Sequence, residues 1–157
     1  AVGHGAIKYA DLAHNRTSDY VFSYDKMMAL EGNTATYMQY CYARVQSIFR
    51  KGEVDLEQIR APTDSVNLEH AAERLLALTL ARYAEALDEV LEDYRPNQLT
   101  NYLFDLAKRF SSFFEQCPVL KAEDDAIKLS RLRLCDLTAR TIAHGLDLLG
   151  ISVVQQM

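Results

Sequence analysis

The sequence predicts an all-α protein that folds as one bundle of helices. Its 157 residues are 49% hydrophobic and 25% charged, which supplies enough apolar side chains for a single core. Apolar residues recur at steps of three and four along two long segments, and this spacing places them on one face of a helix. No convincing alternation of apolar and polar residues indicates a strand, so helices are expected throughout.

The N-terminal third is predicted to contain a short helix followed by a longer one. Residues 5–16 form a short helical pattern that carries Ile7, Ala10 and Leu12. The turn at residues 31–34 ends at Thr34, whose hydroxyl can cap a following helix. We therefore expect a helix from about Ala35 to Arg50.

The middle of the chain is predicted to hold a connection and then a helical region. The segment between Gly52 and Asn67 is acidic and has no sustained period, which is typical of a surface connection. From Asn67 to about Tyr94 the apolar stripe is helical, but Thr79 and Arg82 weaken it. Either two helices or one bent helix would fit this pattern.

The strongest periodicities lie in the C-terminal half. Pro96 suits the first turn of a helix that extends through Phe114, and Pro118 prevents that helix from continuing. The last helix ends before Gly150. The predicted core consists of the two stripes Leu99, Leu103, Leu106, Phe110, Phe113 and Leu132, Cys135, Ala139, Ile142, Leu146, Leu149.

Composition and motifs exclude several classes of function. No phosphate-binding glycine loop, zinc-protease motif or serine-hydrolase motif occurs, and the four histidines are scattered, so neither a metal nor a catalytic residue is expected. The acidic cluster Asp88, Glu89, Glu92 and Asp93 fits a solvated helix face. Three widely spaced cysteines fit reduced thiols, and no apolar span or signal peptide is apparent, so we expect a cytoplasmic protein without a membrane partner.

The helix after Thr34 has two faces that require separate explanations. Cys41, Val45 and Ile48 would pack in the core, while Tyr37, Tyr40 and Arg44 lie about a quarter turn away. Two aromatic rings and a guanidinium can stack unpaired bases and hold a phosphate, although helical tyrosines also fill cores. Because the net charge is −5, sequence-blind attraction to nucleic acid is disfavoured, and only a local site fits.

Blocks at both ends of the chain resemble arginyl-tRNA synthetase. Near the start these are residues 5–12, 15–22, 25–28 and 32–40, and near the end they are residues 131–140 and 145–151. The resemblance implies the tail of a class I catalytic domain with a linking segment at residues 1–33. It implies an all-α helical bundle of the anticodon-binding type, called the DALR domain, at residues 34–157. The family's adenylate-forming motifs have no counterpart here, so ATP-dependent ligation of arginine to tRNA is expected of the parent enzyme alone, and this chain is expected to hold no cofactor.

The resemblance also implies the partner and the residues that contact it. The partner would be the anticodon loop of arginine tRNA, alongside the catalytic domain of the same polypeptide, with the protein acting as a monomer. By this resemblance Tyr37, Tyr40 and Met157 contact the anticodon loop, and residues 29–34 respond to tRNA. The full set of expected contacts is Asn33, Thr34, Tyr37, Tyr40, Arg44 and Met157, with Arg50, Lys51, Arg133 and Arg140 as weaker phosphate-binding candidates.

One alternative comes from another class of function. The same bundle would also suit a helical interaction domain that docks a partner protein or subunit. Without a catalytic domain, Tyr20, Phe22, Tyr24 and Met27 are expected to expose an apolar surface. RNA binding discriminates between the two functions.

Overall fold

The computed structural model describes residues 2–21, 23–62 and 66–157, and helix is the only regular element in these ranges. The all-α prediction is therefore confirmed. In chain order the helices are α1 (Val2–Leu12), α2 (Tyr24–Met27), α3 (Ala35–Lys51), α4 (Leu56–Arg60), α5 (Ala71–Ala81), α6 (Tyr83–Asp93), α7 (Pro96–Gln116) and α8 (Asp125–Leu148).

Local sequence determines where the long helices begin and end. The Thr34 hydroxyl accepts a hydrogen bond from the Tyr37 backbone N–H at 3.1 Å, which caps α3 as predicted. Pro96 is the first residue of α7, where its missing N–H has no intrahelical partner to lose. Gly150 follows α8 with a φ of +69°, a conformation that glycine adopts without steric cost.

Both predicted stripes form the core. All of their members are buried except Leu149, which directly follows α8, is half-buried and packs against the core. Cys41, Val45 and Ile48 of α3 are buried in the same cluster, which confirms the packing face of that helix. Helices α3, α7 and α8 therefore contribute most of the core of the bundle.

The predicted connection at residues 52–66 is wrong in part, because it contains α4. Asp55 caps this short helix, Ile59 is buried, and Arg60 binds Asp136 of α8 at 2.7 Å. A five-residue helix is too short to show a 3.6-residue period, and its stabilising partner lies 76 residues away. Residues 63–65 of the predicted connection lie outside the described residues.

The region from Asn67 to Tyr94 consists of two helices. The break between α5 and α6 falls at Arg82, beside the weakened part of the stripe. α5 starts only at Ala71, because a capping box of His70 and Glu73 fixes its first turn. The acidic residues at the end of α6 are exposed, as expected of a solvated face.

The N-terminal segment shares the core of the bundle. α1 spans Val2–Leu12 rather than the predicted residues 5–16, and it packs on α3 and α7. The fully buried Tyr9 donates its hydroxyl to Asn33 Oδ1 at 2.7 Å, and the same hydroxyl lies 3.1 Å from the Thr100 carbonyl. This contact joins α1 to the loop before α3 and to α7.

Apolar residues after α1 are only partly exposed. Tyr20 and Tyr24 are exposed as expected, whereas the expected exposure of Met27 is wrong, because α2 packs this side chain inward on the side of α1. Phe22, which was expected to be exposed with them, lies outside the described residues. In the described ranges, no helix has the length and apolarity required to cross a membrane.

Candidate nucleic-acid interface

A cavity of about 620 Å³ opens on the surface beside α3. Its walls come from α3, the end of α7, the linker between α7 and α8, and the C-terminal residues. Five of the predicted contact residues line it, namely Tyr40, Arg44, Arg50, Lys51 and Met157. The fold therefore joins the middle of α3 to the C-terminus, a proximity that helical spacing could not predict.

Arg44 contacts two aromatic rings in this cavity. Its Nη2 donates to the Tyr40 hydroxyl at 2.9 Å, and its Cζ lies 4.9 Å from the centre of the Tyr40 ring. The same carbon lies 5.1 Å from the centre of the Phe114 ring on α7. Cation–π contacts with both rings hold the guanidinium in place and leave further N–H donors for a ligand.

The charge of the cavity is opposite to that of the whole chain. Arg44, Arg50, Lys51 and Lys121 are basic, and no acidic side chain lines the cavity among the described residues. The chain as a whole carries −5. A concave surface with one sign of charge concentrates ligands of the other sign, so this cavity favours an anion.

The aromatic Phe114 and the basic Lys121 also line the cavity and were not among the predicted contacts. Phe114 is 36% exposed and follows directly after the core residue Phe113, so it falls outside the apolar stripe of α7. The sequence signal for Phe114 was an aromatic residue directly beside the apolar stripe of α7. Lys121 lies in the linker after Pro118, where the sequence has no period that could orient it.

Tyr37, Asn33 and Thr34 lie outside the cavity. The half-buried Tyr37 lies within hydrogen-bond distance of Ser111 Oγ, at 3.1 Å, and packs edge-on against Phe104. Thr34 donates to the Ala29 carbonyl in addition to capping α3, and Asn33 donates to Asn101 Oδ1. These contacts connect the loop at residues 29–34 with α3 and α7.

The arginines of α8 also lie away from the cavity and have partners within the fold. Arg133 donates to the Ile59 carbonyl of α4 at 3.1 Å. Arg140 lies 3.7 Å from the buried Asp136. Both were weaker candidates for phosphate contact. Arg133 helps to hold α4 against α8, whereas Arg140 pairs with a residue of its own helix.

The described residues that line the cavity include no His, Cys, Asp or Glu. In the part of the chain that the structure describes, no three His, Cys, Asp or Glu side chains are grouped to hold a metal ion. The three cysteines are buried and free, and burial raises the pKa of the Cys41 thiol to about 12. Binding chemistry at the cavity therefore depends on aromatic, basic and thioether groups.

The model of the DALR anticodon binding domain matches residues 38–157. This chain therefore belongs to the DALR anticodon-binding domain family. Within that family it corresponds to the anticodon-binding domain of arginyl-tRNA synthetase. Arginine–tRNA ligases of Picosynechococcus and of Erwinia tasmaniensis are 54% and 51% identical to it over 157 and 156 residues. The alignments cover 99% of this chain and 26% and 27% of those proteins, so the chain spans about a quarter of the length of the curated relatives it matches.

Solved structures share the same fold over nearly the whole chain. Arginyl-tRNA synthetase from Plasmodium falciparum superposes with a TM-score of 0.89 and 34% identity, covering 99% of this chain and 27% of that one. The Thermus thermophilus arginyl-tRNA synthetase gives a TM-score of 0.86 and 32% identity, covering 99% and 26%. The fold and family expected from the sequence are confirmed.

Proposed function

We propose that this chain binds the anticodon loop of arginine tRNA, so that its parent enzyme can attach arginine to that tRNA. The observation that carries the proposal is the basic cavity in which Tyr40, Arg44, Phe114 and Met157 meet. Anticodon loops present unpaired bases, and unpaired bases are bound by stacking on aromatic rings and on guanidinium planes. The cavity offers both groups beside an adaptable thioether.

Recognition would combine one stacked base with a few phosphate contacts. Tyr40 supplies the ring, Arg44 is oriented by its two aromatic neighbours, and Lys51 and Lys121 add positive charge at the rim. At most four basic groups of the cavity can contact the single-stranded loop. A plot of the logarithm of the binding constant against the logarithm of the salt concentration should therefore have a slope of about −2 to −3. Affinity should therefore be modest and sensitive to salt.

The rest of the parent protein would supply the chemistry. Residues 1–33 would be the tail of the catalytic domain and its linking segment, and residues 34–157 the anticodon-binding domain. The catalytic domain is thus a further partner, within a polypeptide that uses ATP and acts as a monomer in the cytoplasm. Helix α1 shares the core with α3 and α7, so the two segments would move together on binding.

A titration of the chain with anticodon stem-loops tests this function. Fluorescence anisotropy at several salt concentrations should show binding to an arginine stem-loop and weaker binding to a matched non-cognate one. Equal affinity for both loops at moderate salt would refute the proposal. That result would favour the alternative of a helical domain that docks a protein partner.

A further inference from the structure

The residues after α8 reach the cavity without regular secondary structure. We call residues 150–157 the C-terminal tail. Its Ile151 is buried in the core and its Val153 packs against the core, while Met157 is 53% exposed at the cavity. An extended segment with no strand beside it has backbone carbonyls that need other donors, so its path depends on the side chains that supply them.

Three side chains from α1 and α3 donate to carbonyls of the tail. Lys8 Nζ donates to the Gly150 carbonyl at 2.8 Å. Gln39 Nε2 donates to the Ser152 carbonyl at 2.8 Å. Arg50 Nη1 donates to the Gln155 carbonyl at 3.2 Å. These donors follow the tail from its start almost to its last residue.

Gln39 differs from the other two donors because its side chain is fully buried. Its exposed fraction is 0%, and its Oε1 has no hydrogen-bond partner among the described residues. Space around it is tight, since a Cβ added at Gly5 would lie 3.3 Å from its Nε2. A buried amide with an unpaired oxygen is unfavourable, and an apolar side chain of similar size would avoid that cost. The stabilising contribution of this amide is its bond to the tail.

We propose that Gln39 is a positioning residue for RNA recognition, which fixes the tail at Ser152 so that Met157 reaches the cavity beside Tyr40 and Arg44. This inference rests on the proposed function, since the cavity is the RNA site. Arg50 is the second such residue, close to the end of the tail. Its bond to Gln155 gives it a part in holding the tail as well as in supplying charge to the cavity.

The placement of the tail can be tested without RNA. In Gln39→Leu the core stays apolar and the Ser152 carbonyl loses its donor, so the end of the tail beyond Ser152 should loosen, while the buried Ile151 keeps the start of the tail in place and the melting temperature changes little. With ¹³C-labelled methionine methyl groups, the Met157 resonance should move toward its value in an unstructured peptide and become sharper. Gln46→Leu on the same helix is the matched control and should leave the resonance unchanged. An unmoved Met157 resonance in Gln39→Leu would overturn the proposal.

The functional consequence is tested by combining Gln39→Leu with deletion of Met157. Each change alone should weaken stem-loop binding by about two- to tenfold, the range expected for one net hydrogen bond or contact. Because Gln39 acts through Met157, the two losses should not add. The affinity of the double variant for the stem-loop should equal that of whichever single variant binds less tightly. Losses that multiply would show that Gln39 acts independently and would overturn the proposal. If the unaltered chain fails to bind any stem-loop, the proposed function fails, while the methyl resonance still decides whether Gln39 places the tail.

Discussion

Glu73 is a buried carboxylate whose replacement should strongly destabilise the bundle. Its side chain is 1% exposed, and its two oxygens accept hydrogen bonds from the His70 backbone N–H at 2.8 Å and from Arg131 Nε at 2.6 Å. Arg131 in turn donates to the Pro118 carbonyl at 2.8 Å. The carboxylate therefore links the start of α5 to α8 and to the linker that walls the cavity.

The magnitude for Glu73→Gln follows from these contacts. The amide keeps one acceptor, but its NH₂ group must face either a backbone N–H or the guanidinium. One charge-assisted bond worth about 1.5 to 3 kcal/mol is lost. Arg131 keeps some solvent access, with 15% of its side chain exposed. The loss of free energy expected for breaking a fully buried ion pair therefore applies only in part. We expect a loss of about 3 kcal/mol in the free energy of unfolding, or about 6 to 12 °C in melting temperature.

The pH dependence adds an independent check on the same residue. Burial raises the pKa of Glu73, but hydrogen bonds from His70 and Arg131 more than offset this, so its pKa lies below the ordinary glutamate value. Its contribution is present above the ordinary value of about 4.3 and is lost as the pH falls through the lower pKa of the folded state. The gap in stability between the unaltered protein and Glu73→Gln should therefore narrow below about pH 4.

Urea unfolding followed by circular dichroism measures both effects. Glu92→Gln on the exposed face of α6 is the matched control and should change stability by less than about 0.5 kcal/mol. Equally small losses in the free energy of unfolding for Glu73→Gln and Glu92→Gln would refute the claim that the buried Glu73 carboxylate stabilises the bundle. A gap that widens as the pH falls would show that the sign of the pKa shift is wrong.

Three further predictions concern the core. Leu106→Ala removes a fully buried side chain and should cost about 2 to 5 kcal/mol in urea unfolding, and a loss under 1 would show that the core is misplaced. Gly145→Ala would bring a Cβ within 2.7 Å of Leu103 Cδ2, so it should lower stability by about 1 to 3 kcal/mol, and a stabilised variant would contradict the close contact of α7 with α8. Buried Cys41 and Cys135, whose thiol pKa values are raised, should react with iodoacetamide at neutral pH only when the protein unfolds, and rapid labelling in native buffer would contradict their burial.

Features with long periodicity were predictable from the sequence. The stripes of α7 and α8 extend over about four and five turns, and Pro96, Thr34 and Gly150 mark helix ends that follow from local chemistry. The short α4 was missed, because one turn shows no period and its stabilising contact with Asp136 is distant in sequence. Local patterns indicate where helices form, but they do not indicate which helices pack against each other.

The candidate site was predictable only in part, for a related reason. The spacing of Tyr40 and Arg44 places them one turn apart on a helix, and this is the geometry of the stacked pair. The meeting of Met157 with that pair depends on the tail, whose carbonyls accept hydrogen bonds from side chains of α1 and α3 that are distant from it in sequence. Spacing likewise did not reveal that Tyr37 would pack against α7 instead of lining the cavity.

The most direct test of the RNA-binding surface is the effect of Tyr40→Ala on affinity and on stability, measured side by side. The matched control is Tyr94→Ala, which removes a ring that is 73% exposed and lies outside the cavity. We predict that Tyr40→Ala weakens binding of an arginine anticodon stem-loop by about 1 to 3 kcal/mol with little change in melting temperature, and that Tyr94→Ala leaves binding unchanged. If Tyr40→Ala binds the stem-loop as tightly as Tyr94→Ala does, the cavity is not the surface that holds the anticodon loop.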